Sequence, residues 1–273
     1  MPMPSQPAAT ASDLYGLADA VCVVTGGGSG IGRAAACAFA RLGAAVAVID
    51  RDIAGAQATV VMLAESGARG VAIACDTSDA ASVNAAAARS AEALGGCDVL
   101  VNAAGILRAG GLEDLPLEEW NRVIAVNLTG YFLCAQAFGR QMRAKGKGAM
   151  AHIASIAASH ATGFSGAYSV SKAGVAMLSR QLAIEWGPQG IRSNTVCPGM
   201  TWTGMTQQAY GRPGMAELRG KAIPAGRIGQ PEEIADAVVF LCSARAAYVN
   251  GADLTVDGGF TRNLMGLVPR TAS

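Results

Sequence analysis

The chain has 273 residues, enough for one large domain or two small ones with a full core. It is 51% hydrophobic and 15% charged, contains 35 glycines and has a formal net charge of +1. With no long basic run, the composition excludes a nucleic-acid or anionic-membrane surface.

The chain opens MPMPSQPAATASD, which has neither a basic segment nor an apolar core, so no signal peptide is expected. Residues 1–18 read as a disordered tail. AVCVVT at 20–25 is the first apolar strand, followed by a Gly-rich segment and an Ala-rich helix to Leu42. AVAVI at 45–49 is a second strand ending at Asp50, and a helix follows over 53–66. A third strand covers 70–75, a third helix 80–94 and a fourth strand 97–102. One long helix is predicted from about 117 to 144, then a fifth strand over 149–154 leading into Ser155. The next helix carries Tyr168 and Lys172 and ends near Gly187-Pro188. A sixth strand covers 191–198. A helix over 231–243 starts with Pro231 and acids in its first turn, and a last strand covers 253–259. The partly apolar end, 261–273, either crosses to a neighbouring subunit or is disordered.

Strands alternate with helices, and the strands are continuous apolar runs. That pattern predicts an α/β fold: a doubly wound parallel sheet with helices on both faces, in one domain over 19–260. No apolar run reaches membrane-spanning length without interruption. The seven cysteines are scattered with no C-x-x-C pair, and there are two histidines, so neither a disulfide framework nor a metal site is expected. A cytoplasmic protein follows from these features.

Ligands bind such sheets beyond the carboxyl ends of the strands. Gly26 to Gly32, Asp50, Asp76, Asn102 to Gly105, Ser155 and Pro198 to Thr203 all fall there. The loop TGGGSGIG, 25–32, lies between a strand and a helix, where glycines let backbone approach a pyrophosphate and the helix start offers free N–H groups. Its spacing, Gly26-x-x-x-Gly30-x-Gly32, differs from G-x-G-x-x-G. Asp50 can accept hydrogen bonds from adenosine ribose hydroxyls and repel a 2′-phosphate, so NAD is expected over NADP; the neighbouring Arg51 could instead accept that phosphate. Tyr168 and Lys172, four apart, share a helix face. An ammonium there favours the phenolate, and Ser155, thirteen residues earlier, can hold a substrate oxygen. On its own, Y-x-x-x-K is a common surface pairing.

The full set resembles the short-chain dehydrogenase/reductase family, with its Rossmann-type fold. The matching pieces are TGGGSGIG at 25–32, Asp50, CDT at 75–77, NAAG at 102–105, VN at 126–127, Ser155, YSVSK at 168–172, PG at 198–199 and VDGG at 256–259, in family order. The resemblance implies that Tyr168 is the acid/base and that Lys172 lowers its pKa and binds the nicotinamide ribose. Ser155 then holds the substrate oxygen, and Asn127 supports a water joining Lys172 to solvent. Read by itself, Asn127 is a helix-interior residue satisfied by backbone. Gly26, Ser29, Gly30, Ile31 and Gly32 are implied at the pyrophosphate, with Asp50 and Arg51 beside the adenosine ribose. Asp76 and Thr77 are implied at the adenine, and Asn102, Ala103, Ala104 and Gly105 under the adenosine ribose. Pro198, Gly199, Thr201 and Thr203 fall at the nicotinamide. Ala103 stands where the family has a second Asn that braces the sheet, so bracing must differ.

Specificity is expected in the loop 156–165, with His160 and Phe164, and in a Gly- and Pro-containing lid over 200–222. Trp202, Met205 and Tyr210 either wall a pocket or pack the lid down; Arg212, Arg219 and Lys221 face water. The resemblance implies an NAD-dependent enzyme interconverting a secondary alcohol and a ketone, assembled as a homotetramer, with a small-molecule partner and no metal. The alternatives are an NADPH-dependent 3-oxoacyl thioester reductase, a dehydrogenase of a cyclic diol or sugar, and a non-catalytic NAD-binding regulator.

Overall fold

The computed structural model describes residues 14–268. Seven strands form one sheet: β1 (Val21–Thr25), β2 (Ala45–Asp50), β3 (Gly70–Ala74), β4 (Val99–Asn102), β5 (Gly148–Ile153), β6 (Ile191–Pro198) and β7 (Asp253–Val256). Their order is β3-β2-β1-β4-β5-β6-β7, parallel throughout. The helices are α1 (Gly30–Arg41), α2 (Ile53–Glu65), α3 (Ala80–Leu94), α4 (Leu117–Ile124), α5 (Gly130–Lys145), α6 (Tyr168–Trp186), α7 (Gln207–Tyr210), α8 (Met215–Lys221) and α9 (Pro231–Cys242). This is the doubly wound sheet that the sequence predicts.

β1, β2 and β4 read as near-unbroken apolar runs because both faces of the sheet are covered there. On one face Cys22, Val24, Val46, Val48, Val99 and Val101 pack with Ala34, Phe39, Leu63 and Ile234 from α1, α2 and α9. On the other, Val23, Ala47, Leu100 and Met150 pack with Val83, Cys134, Phe138 and Leu182 from α3, α5 and α6. Caps set several helix starts: Asp52 accepts from Ala54 N at 3.1 Å, Asp79 from Ser82 N at 2.8 Å, and Gln230 and Glu233 form a capping box on α9.

The second face ends in a polar row. Two residues beyond Val23, Leu100 and Met150 stand Thr25, Asn102 and His152, in register on β1, β4 and β5, followed by Thr195 on β6. All four are buried. Asn102 Nδ2 donates to the Tyr131 carbonyl at 3.3 Å and to His152 Nδ1 at 3.1 Å. His152 Nε2 then donates to Ser193 Oγ at 3.1 Å, and Ser193 meets Ser179 at 2.9 Å. Since Nδ1 accepts, the imidazole is the neutral Nε2–H form. This row spans four strands where Ala103 leaves out the family's second asparagine.

Three expectations change. The helix of 117–144 is two helices joined by a π-helical turn, Ala125–Thr129. The expected tail of 1–18 falls partly outside the described residues, but Leu14 and Tyr15 make a helical turn and Leu17 is buried in the first core. At the other end, 269–273 lie outside the described residues, whereas Phe260–Arg262 and Leu264–Leu267 form short helical turns. No helix among the described residues is long and apolar enough to cross a membrane.

Candidate active site

The sheet order reverses between β1 and β4, and a cleft of about 960 Å³ opens at the carboxyl ends of the strands there. The loop after β1 forms one wall. Gly26 has φ +65°, and a Cβ on it would lie 2.7 Å from Ala104 Cα. A Cβ on Gly32 would lie 2.1 Å from Gly26 O, so the loop closes directly onto the start of α1. Ser29, the residue before α1, makes no side-chain cap, which leaves the first N–H groups of α1 available. This cradle fits a pyrophosphate.

The loop is held from behind. Arg33 donates through Nη2 to Gly28 O and through Nε to Thr59 Oγ1 at 3.0 Å, while Thr59 donates to Gly27 O at 2.9 Å. Asp50 accepts from Gly28 N and Asp52 N, each at 2.9 Å, and lines the cleft with Arg51. Asp76 and Thr77 lie farther along the same wall. Ser78 donates to Asp76 from its hydroxyl and its N–H, holding that carboxyl below the ordinary range. Thr25 Oγ1 accepts from Ala103 N and Ala104 N at 3.2 and 3.4 Å, which fixes the floor.

Across the floor, Ser155, Tyr168 and Lys172 line the same cleft. Burial raises the Tyr168 phenol above its ordinary pKa, and the nearby Ser155 hydroxyl pulls it down in part. Lys172 is 3% exposed, and burial lowers its ammonium to about 7. Nζ donates to Ile153 O at 2.7 Å and stands 5.7 Å from the Tyr168 ring centre.

Pro198, Gly199, Thr201 and Thr203 complete the wall. Thr201 donates to Gly199 O at 3.2 Å, and Thr203 packs against Gly30. Two expected residues lie outside the lining. Asn102 belongs to the polar row. Asn127 sits in the π-helical turn, fully buried; its amide accepts from Ile106 N at 2.8 Å and donates to Ile106 O at 2.9 Å and to Ser171 at 3.2 Å. That is the backbone contact its helical position suggests.

The residues expected to set specificity divide between the cleft, the lid and the surface. Trp202 and Tyr210 meet edge-on at 5.6 Å and pack with Ile223, Ile228 and Phe260, whereas Met205 lines the cleft. Residues 156–165 contribute nothing to the lining: His160 and Phe164 point to solvent, while Leu107, Arg108 and Ala109 line it instead. Sequence reading also missed Tyr131, buried beside Lys172, although its spacing of four from Asn127 matches that of Tyr168 and Lys172. No cluster of potential metal ligands occurs among the described residues.

A phosphate cradle at the switch point, facing a buried phenol and amine across one cleft, defines an oxidoreductase that works with a nicotinamide dinucleotide. A family model described as Enoyl-(Acyl carrier protein) reductase matches residues 26–261. D-threitol dehydrogenase of Mycolicibacterium smegmatis is 46% identical over 243 residues, 88% of this chain and 92% of that protein. Galactitol 2-dehydrogenase (L-tagatose-forming) of Cereibacter sphaeroides is 40% identical over 250 residues, 91% of this chain and 97% of that protein. A crystal structure from Agrobacterium tumefaciens with bound NADP superposes with a TM-score of 0.83 at 35% identity, covering 90% of this chain and 98% of that one. The chain belongs to the short-chain dehydrogenase/reductase family and is an oxidoreductase acting on CH–OH groups.

Proposed function

We propose that the protein oxidises a secondary alcohol of an acyclic polyol to the ketone with NAD, and catalyses the reverse reduction with NADH. One observation carries this reading: Ser155, Tyr168 and Lys172 face the same cleft as the glycine cradle and Asp50. The similarity to a threitol and a galactitol dehydrogenase supports the substrate class. Asp50 supports NAD, because a 2′-phosphate beside its carboxylate is repelled.

When bound, the nicotinamide takes or gives the hydride. In oxidation Ser155 holds the alcohol oxygen while the Tyr168 phenolate accepts the hydroxyl proton. In reduction the phenol returns it. Lys172 supports the phenolate and binds the ribose, as the family resemblance implies. Gly105 lies beside both groups, its Cβ position 3.5 Å from Asn127 Oδ1 and 3.7 Å from Lys172 Nζ, and Asn127 is expected, as the resemblance implies, to support the water that joins Lys172 to solvent. Gly26, Ser29, Gly30, Ile31 and Gly32 would hold the pyrophosphate, and Asp50, Asp76, Thr77 and Ala103 to Gly105 would hold the adenosine. A homotetramer belongs to the same reading: Phe132, Met177 and Ile184 expose apolar surface on α5 and α6 that a subunit interface covers. So does a cytoplasmic setting, given seven unpaired cysteines.

The test is a fluorescence titration with NADH and NADPH, followed by turnover of D-threitol, galactitol, simple secondary alcohols and a 3-oxoacyl thioester. Tighter NADH and turnover of a polyol are expected. Preference for NADPH with reduction of the thioester would replace this reading with an acyl-thioester reductase. Binding without turnover of any of these compounds would favour a regulator.

A further inference from the structure

Lys172 stands between two phenol rings. Its Nζ lies 5.7 Å from the Tyr168 ring centre and 5.1 Å from that of Tyr131. Tyr131 is the second residue of α5, just past the π-helical turn, and is 1% exposed. Its hydroxyl donates to Ile153 O at 3.2 Å and accepts from Lys172 Nζ at 3.4 Å. Lys172 donates to the same carbonyl at 2.7 Å, closing a triangle. The phenol is fixed on its other sides: its ring stacks on His152 at 6.0 Å, and its carbonyl accepts from Asn102 at 3.3 Å.

We propose that Tyr131 is a positioning residue, whose hydroxyl holds the Lys172 ammonium charged and aimed at Tyr168. The proposal rests on the catalytic reading of Tyr168 and Lys172 above. A buried ammonium loses its hydration and needs acceptors. The titratable groups facing Lys172 are Tyr168 on α6, Tyr131 on α5, His152 on β5 and Cys197 on β6. Burial raises both phenols and the Cys197 thiol and lowers His152, so in the protein alone each leans to its neutral form. No carboxylate pairs with Lys172 among the described residues. The charge rests on neutral acceptors, and the Tyr131 hydroxyl is one of two protein oxygens that Nζ meets. Removing it lets Lys172 shed its proton at lower pH. The Tyr168 phenolate then loses support, and its pKa rises.

Tyr131→Phe keeps the ring and its stacking and removes this one atom. The measurement is kcat/KM for alcohol oxidation from about pH 6 to 10, with thermal unfolding and NADH titration alongside. The acid limb is expected to move alkaline by about one unit, giving rates about tenfold lower at neutral pH that converge with the wild type at high pH. A superimposable profile, or a loss equal at every pH, would overturn the proposal. If Tyr131→Phe does not fold, Tyr131→Met replaces it with the same two outcomes. Lys172→Met separates the readings. If it retains wild-type turnover, the catalytic reading fails; if it is inactive while Tyr131→Phe matches the wild type, the positioning role alone fails.

Discussion

His152 makes the fold sensitive to acid in a way that can be measured. Its side chain is fully buried in the polar row, with Nδ1 facing the Asn102 amide donor. A proton on Nδ1 would set two donors against each other. Burial, helped by the Lys172 charge, lowers the imidazole from 6.5 to about 4. The folded pKa lies below the unfolded one, so the unfolded chain takes the proton first and stability falls as pH drops from 6.5 towards 4. At pH 5.0 the unfolded imidazole is nearly all protonated and the folded one nearly all neutral. Integrating the difference gives about 2 kcal/mol lost between pH 7.5 and 5.0 through this residue. The assay is urea unfolding at fixed protein concentration at both pH values, for wild type and His152→Asn. Asn places an oxygen near the imidazole Nδ1 and does not titrate. The variant is less stable at both pH values, but its change between them should be smaller by about 2 kcal/mol. Equal changes in the two proteins would refute the neutral, unprotonatable His152.

Tyr168→Phe should lower turnover by about 10²–10⁴-fold with NADH affinity nearly unchanged, measured by steady-state kinetics and fluorescence; retained activity would remove Tyr168 from proton transfer. Gly32→Ala puts a methyl 2.1 Å from Gly26 O, which only a backbone shift relieves. Strain of about 1–3 kcal/mol should weaken NADH by about 5- to 150-fold in titration, and an unchanged Kd would mean that the cradle is looser than its contacts show. Asp50→Ala should raise the kcat/KM ratio of NADP to NAD; a constant ratio would show that this carboxylate does not select the cofactor. Arg192 donates to the carbonyls of Leu241, Ser243 and Val249 and so closes the end of α9. Arg192→Met should cost about 3 kcal/mol in denaturant unfolding, and a loss under about 1 kcal/mol would mean that water replaces the guanidinium.

The central strands were legible because burial on both faces demands unbroken apolar runs such as AVCVV and CDVLVN, whereas β7, DLTV at the sheet edge, was placed by its position before VDGG. The glycine cradle and the Tyr168–Lys172 pair were legible because each depends on spacing along one element. What escaped depends on meetings between elements. The row Thr25, Asn102, His152 exists only once β1, β4 and β5 are in register. Tyr131 reaches Lys172 only when α5 and α6 lie on the same face. Of the two roles open to the lid residues, Trp202 and Tyr210 take the packing one, satisfying their apolar surface against each other, a choice that composition alone cannot make. The break in the helix over 117–144 left only a weak trace, since Val126, Asn127 and Thr129 are modest helix formers that also occur inside unbroken helices.

That break absorbs one surplus residue. A π-helical turn takes an insertion as a local swelling and leaves the helices on either side in their original rotation. The five residues Ala125–Thr129 therefore let Val123 and Phe138 keep their places against the rest of the molecule while pushing Asn127 out to clasp Ile106. Removing one residue from this stretch should heal the helix and preserve its packing. It would also withdraw the clasp from Ile106, whose neighbour Gly105 lies beside Lys172.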